Sequence, residues 1–274
     1  MAEKSRFEFY CTRWGSENIP WDIFFEMIKI NGYDGIEYGI PSGTPQKTLD
    51  NVWNLASRYG VKIIPHHYDI VTTNFSEHQE RYEAWFEMIS YYDFEKINAQ
   101  TGRDVFDYED NKKLFEYSFE YQKSKGVVVA HETHRQRSLF AAHVAKAFLE
   151  KIPDLHLTLD ISHWICVAET YLHDQTAAVS LAIDRAVHLH ARIGHPQGAQ
   201  VSDPRADEWQ DAVDIHLHWW RSLAKKIAES KRVLTITPEF GPSPYMFCYP
   251  YSRQPCANQW DINLYMMHLL REEL

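Results

Sequence analysis

Short apolar, β-branched stretches alternate with longer segments of helical periodicity along the chain, at roughly the 30-residue spacing of repeated βα units. Candidate strands cover residues 7–14, 35–38, 61–68, 94–100, 127–133, 155–161, 187–193 and 233–240. Several are nearly uninterrupted apolar runs, Val127-Val128-Val129-Ala130 being the clearest, as expected of parallel strands covered on both faces. Helices are predicted over 76–92, 109–124, 138–151, 174–185, 208–230 and 258–272. Two more carry start and stop signals. Thr44-Pro45 places a capping residue before a first-turn proline, Leu49, Val52, Trp53, Leu55, Ala56 and Tyr59 recur with helical spacing, and Gly60 ends the run. Pro20 opens the other, and Asn31-Gly32 closes it. Eight strands alternating with helices predict an α/β fold, a single (β/α)8 TIM barrel over residues 1–274 with no linker or composition shift.

Composition agrees with that architecture. The 274 residues suit a barrel, which typically runs to about 250. The 45% hydrophobic content supports a sizeable core, and the 14% aromatic share suggests ring-lined packing or a ring-lined pocket. A net charge of −10 argues against a nucleic-acid partner. The start MAEKSRFEFYC has no apolar run of a secretory signal, and no window is long and apolar enough to span a membrane. Cys11, Cys166, Cys248 and Cys256 are far apart and show no CxxC spacing, which reads as reduced thiols of a cytoplasmic protein.

Strands five to eight each end in a potential metal ligand. They read Val127-Val128-Val129-Ala130-His131-Glu132, Leu155-His156-Leu157-Thr158-Leu159-Asp160, His188-Leu189-His190 and Leu234-Thr235-Ile236-Thr237-Pro238-Glu239. A closed parallel barrel brings these ends to one mouth. A lone strand-end carboxylate reads as a helix cap or a salt-bridge partner. Four ionisable residues at matching positions would be costly to bury together without a compensating cation. Three carboxylates and an imidazole suit one divalent metal ion: Mn²⁺, Mg²⁺, Co²⁺ or Zn²⁺. Long connections at 194–207 and 241–257 follow two of these strands, where barrel active sites are built.

The HET of Ala130-His131-Glu132-Thr133-His134-Arg135, the D-x-x-H of Asp160-Ile161-Ser162-His163, His188-Leu189-His190 and Pro238-Glu239-Phe240 together resemble the xylose-isomerase-like barrel superfamily of short sugar isomerases, epimerases and endonuclease-IV-like enzymes. The resemblance spans essentially the whole chain. It implies metal ligation by Glu132, Asp160, His190 and Glu239. It also implies a substrate-side role for His163 and a clamp on substrate oxygen by Arg192, which shares strand parity with His190. The three-zinc DNA-repair branch needs further histidines, and strand four, Lys96-Ile97-Asn98-Ala99-Gln100, supplies none. The resemblance therefore implies a single-metal site for a small carbohydrate.

The chemistry implied is isomerisation or epimerisation of a sugar or keto-sugar through a metal-stabilised enediolate, with Glu132 and Glu239 as acid and base. A lyase or dehydratase acting on a keto-sugar or keto-cyclitol would share the proton abstraction, and a DNA phosphodiesterase is the third possibility. His134 shares strand parity with Glu132 and is assigned to substrate. His66 and His67 point to opposite faces, so one at most enters the barrel, and His67 is assigned to substrate. His188 is read as interior packing and His131 as facing the helices. Trp14, Tyr38, Tyr68 and Trp164 are expected to wall the pocket, with Gln200 reaching in from its long loop. The expected partner is a carbohydrate, with no nucleic acid and no membrane, and a homo-oligomer is compatible with the sequence.

Overall fold

Alternating patterns of this kind bury their apolar faces only when the strands close on themselves inside a ring of helices, and the computed structural model, which describes residues 6–230 and 232–274, has that form. In chain order the elements are β1 (Phe7–Thr12), α1 (Trp21–Ile30), β2 (Gly35–Gly39), α2 (Gln46–Tyr59), β3 (Lys62–His67), α3 (Phe75–Ile89), β4 (Lys96–Ala99) and α4 (Tyr108–Lys125). They continue with β5 (Val128–Glu132), α5 (Ala142–Lys151), β6 (Leu157–Leu159), α6 (Ile161–Ala168), α7 (Thr176–Arg185), β7 (Ala186–His190), α8 (Gln210–Ser230), β8 (Leu234–Thr237) and α9 (Gln259–Glu273). Each strand pairs in parallel with the next, and β8 returns to β1 with Phe7 opposite Leu234.

The eight strands lie where the apolar runs predict them, six of them trimmed at their ends, β2 one residue longer, and β7 starting one residue earlier and ending at His190. Three local differences have physical causes. The sixth predicted strand stops early because Asp160 turns the chain into α6, accepting from Ser162 N at 3.0 Å as its N-cap. Helix α5 begins four residues later than predicted, at Ala142, because Ser138 is spent on a bond to Thr101 O. Thr44 does not cap α2: its hydroxyl bonds Pro41 O, and Pro45 takes the cap position.

The outer shell is apolar. Phe24, Phe25 and Ile28 of α1 and Tyr82, Trp85, Phe86 and Ile89 of α3 are buried against outward-facing strand residues. The barrel interior is different. Such interiors are usually filled by branched aliphatic side chains, but here Glu37, Lys96, Asn98, Thr158, His188, Thr235 and Thr237 are buried. Apart from Thr158, whose hydroxyl has no partner, they survive burial by bonding one another. Lys96 Nζ donates to Val187 O (2.6 Å) and Thr235 Oγ1 (2.7 Å), Thr235 Oγ1 lies 2.7 Å from His188 Nδ1, and His188 Nε2 lies 3.1 Å from Glu37 Oε2. This polar chain runs from the base of the barrel toward the end where the predicted ligands sit. No helix among the described residues is long and apolar enough to cross a membrane.

Burial pulls the Lys96 amine down from 10.5 to about 7. The unfolded chain therefore binds more protons than the folded one between those values, and the lysine's contribution makes stability rise with pH there. Lys96→Met should remove up to about 1.4 kcal/mol per pH unit from that slope, read by urea unfolding at pH 7, 8 and 9. A slope identical to the parent's would show that Lys96 stays charged on folding.

Candidate metal centre

The carboxyl ends of β5 to β8 bring Glu132, Asp160, His190 and Glu239 together, one ligand atom from each lying within 4.8 Å of the others. All four are buried, the most exposed being Glu239 at 5%. His190 is the hub. Its Nε2 donates to Glu37 Oε1 at 2.9 Å, which leaves Nδ1 facing Glu239 Oε2 at 2.9 Å and Glu132 Oε1 at 3.6 Å. Neither Nδ1 nor Glu132 Oε1 makes an aligned hydrogen bond. A nitrogen lone pair and two carboxylates converging in a dry space repel unless a proton or a cation lies between them. This mixed oxygen and nitrogen donor set fits a divalent ion. Two other ionisable clusters overlap the quartet. Glu37, His188 and His190 are already bonded to one another, and in the cluster of Glu132, His134 and His163 the His163 Nε2 is taken by Arg192 at 2.8 Å.

The supports of this quartet come from residues that periodicity does not single out. Glu37, the one charged residue of β2, orients the His190 ring and also accepts from Asn98 Nδ2 at 2.8 Å. Burial pushes its carboxyl up, but His190 and His188 outweigh that and hold it well below the usual range. Asn98 and Gln100 of the β4 segment donate to Glu132 Oε2 at 3.3 and 3.2 Å. Glu239 is fixed through the residues after it. Asn263 of α9 brackets the Phe240 backbone at 2.9 and 3.0 Å, and Gln200 does the same to Gly241 at 2.7 and 3.2 Å. Gln200 therefore shapes the site from behind; it does not act as a lid. Only the equal spacing of Glu37, Asn98 and Gln100 with the interior faces of their strands could have marked them.

Arg192 lies between Asp160 and Glu239, donating to Asp160 Oδ2 at 2.5 Å and approaching Glu239 Oε2 at 3.5 Å. Asp160 thus uses one oxygen to cap α6 and turns the other toward the site. His163 is fully buried behind Arg192 and absent from the cavity wall, its Nε2 lying 2.8 Å from the guanidinium. Burial keeps both His163 and its neighbour His134 neutral, the latter pulled down to about 4. His134 does reach the wall. His67 does not: it packs outward between the Tyr82 and Trp85 rings of α3, at centroid distances of 5.0 and 5.2 Å. The interior parity of β3 belongs to Lys62, Ile64 and His66, and His66 Nε2 lies 3.3 Å from Glu132 Oε2. The choice of His67 over His66 is therefore corrected. His188 is interior, and His131 faces α4, between Thr101 and Ser118.

Above the quartet opens a cavity of about 680 Å³. Trp14, Trp21, Tyr38, Tyr68 and Tyr245 form its aromatic sides, Tyr245 lying 4.8 Å from the Arg192 guanidinium. Trp164, expected here, is instead buried elsewhere, with its indole N–H donated to Leu139 O.

No protein-family description matches the sequence, and no curated protein matches it. Solved structures share its fold across nearly the full length. A xylose isomerase domain protein from Planctomyces limnophilus superposes with a TM-score of 0.61 at 13% identity, covering 97% of this chain and 96% of that one. The probable 3-DHS dehydratase AsbF of Bacillus anthracis, involved in petrobactin synthesis, gives 0.57 at 13% identity, covering 96% and 98%. Endonuclease IV from Thermus thermophilus gives 0.56 at 12% identity, covering 98% of each. The fold these structures share with the chain is the (β/α)8 barrel. Its neighbours carry a different activity in each name, so the reaction has to be read from the site.

Burial lowers the His190 pKa, but Glu239, Glu37 and Glu132 outweigh that and push it well above the ordinary histidine value. A cation arriving at Nδ1 must therefore displace a proton near neutral pH. Mn²⁺ affinity should rise by about tenfold per pH unit from pH 6 to 8, with about one proton released per ion. Calorimetry in buffers of different ionisation enthalpy measures both, and a flat profile would place the ion elsewhere. Glu37→Gln should weaken Mn²⁺ binding by about 10–100-fold at pH 7.5 through loss of the His190 anchor.

Proposed function

We propose that this protein is a divalent-metal-dependent isomerase or epimerase of a small sugar or keto-sugar. The observation that carries the reading is the convergence of Glu132, Asp160, His190 and Glu239 within 4.8 Å, below an aromatic-walled cavity at the carboxyl end of the barrel. Those four residues would hold the ion, which when bound supplies Lewis-acid polarisation of a carbonyl oxygen.

The protein's own groups supply the rest. Glu132 and Glu239 both line the cavity and approach His190 Nδ1 from different strands, so a substrate carbon above them lies between two carboxylates. One removes the proton beside the carbonyl, an effect typically worth about 10²–10⁴-fold. Return of that proton to the same carbon on its other face gives an epimer, and return to the neighbouring carbon gives the aldose–ketose pair. Asn98 and Gln100 hold Glu132 through Oε2, which leaves Oε1 turned toward the site. Arg192, charged and held by Asp160, is placed to steady a substrate oxygen beside Glu239. The aromatic sides offer C–H contact to a carbon chain and exclude water from the carbanionic centre. The amides of β4 in place of histidines support a carbohydrate site over DNA cleavage.

Glu239→Gln should lower turnover by at least about 10²-fold with the thermal unfolding curve unchanged. The assay follows deuterium incorporation from D₂O into aldoses and ketoses with Mn²⁺, Mg²⁺, Co²⁺ or Zn²⁺ present. Full activity in a correctly metallated variant would end the two-carboxylate mechanism. Release of water in place of an isomer would reassign the reaction to elimination.

A further inference from the structure

Two guanidinium groups on the cavity wall have no carboxylate within ion-pair distance among the described residues. Arg137, in the loop between β5 and α5, is 3% exposed. Its Nε donates to Gln100 Oε1 at 3.1 Å, and its terminal nitrogens donate to the carbonyls of Ile70 and Tyr68. Arg13, just beyond β1, is 5% exposed. It donates to Ile19 O at 2.6 Å and lies 4.1 Å from the Trp21 ring and 4.4 Å from that of Phe24, while its buried NH1 has no acceptor. Every acceptor on either side chain is neutral, and neither is ion-paired with a carboxylate among the described residues.

Arg192 shows the contrast, since Asp160 and Glu239 flank it. Of the carboxylates at the floor, Asp160 is committed to Arg192 and Glu37 to His188 and His190. A desolvated cation with only neutral partners is costly until an anion meets it, and burial already pulls Arg137 down to about 10. Arg137 stands one amide away from the proposed chemistry, because Gln100 bonds both it and Glu132. Arg13 and Arg137 share the wall with the aromatic sides and with Glu17, whose carboxylate is bonded to Gly15 N.

We propose that the substrate is an anion, a keto-polyol or aldose carrying a phosphate or carboxylate that Arg137 and Arg13 receive while its carbonyl end meets the floor. The placing of the carbonyl end rests on the isomerase reading; the anion site does not. A guanidinium offers a paired donor edge that matches both groups.

The test is calorimetric binding to the Mn²⁺-loaded protein of D-fructose, D-fructose 6-phosphate and 2-keto-D-gluconate. At least one anion should bind about tenfold or more tightly than fructose, since hydrogen bonds between charged groups exceed neutral ones by that order. Preference for the ester names phosphate, and preference for the acid names carboxylate. Arg137→Gln and Arg13→Gln should each bring the ratio of anion to fructose affinity toward one, and Arg137→Lys should retain part of it. If Arg137→Gln fails to fold because its loop bonds are lost, Arg13→Gln carries the same expectation. A purely structural role would lower thermal stability and leave the ratio alone. The proposal is overturned if neither anion is preferred over fructose, or if the folded variants keep the parental ratio. Deuterium incorporation is scored separately. Anion preference without incorporation into any probe would count against the isomerase reading alone, and incorporation without anion preference would count against this proposal alone.

Discussion

Four carboxylates, Glu37, Glu132, Asp160 and Glu239, are buried at one end of the barrel, and the need to keep them ionised there organises everything around them. Each has been given its own answer. Glu37 is bonded by two histidines and an amide, Glu132 by two amides with His66 alongside, Asp160 by a helix terminus and Arg192, and Glu239 by backbone brackets that leave its oxygens turned inward. The same need explains why the barrel interior is polar. A carboxylate at the level of Glu37 has to be supported from below, and the chain through His188 and Thr235 to Lys96 supplies that support.

His190 connects the two halves of this arrangement. Its Nε2 belongs to the structural side and its Nδ1 to the chemical side, so one ring converts the position of Glu37 into the direction of a lone pair. An ion at Nδ1 would therefore be sensitive to residues it never touches. Proton and metal compete for the same nitrogen, which ties the occupancy of the site to pH without any moving part.

Much of this was legible in the sequence. Continuous apolar runs of β-branched residues specify buried parallel strands, and eight of them specify closure, so the barrel and its strand positions could be read directly. The ends of β5 to β8 were legible for the same reason: a charged residue terminating an apolar run stands at the barrel mouth. Asp160 shows the limit of such reading, since a helix cap and a site carboxylate looked like alternatives and the residue has one oxygen for each. His66 and His67 show another limit. Adjacent strand residues differ only in parity, and a one-residue uncertainty in register exchanges a cavity residue for one packed beneath α3. Glu37, Asn98 and Gln100 stayed hidden because their role depends on residues from other strands, which no local pattern reports. Tyr245 and the bracket from Gln200 lie in irregular loops, where periodicity carries no information.

The bracket that Asn263 places on Phe240 also has a meaning in time. Glu239 is seated by a helix whose relevant side chain lies 23 residues beyond the one it holds. β8 must also find β1, at the other end of the chain, before the ring is closed. A chain emerging from its amino terminus therefore carries three of the four ligands once His190 is made, without the geometry to use them. The fourth is set only when α9 docks, so closure of the barrel and completion of the ion site are a single event.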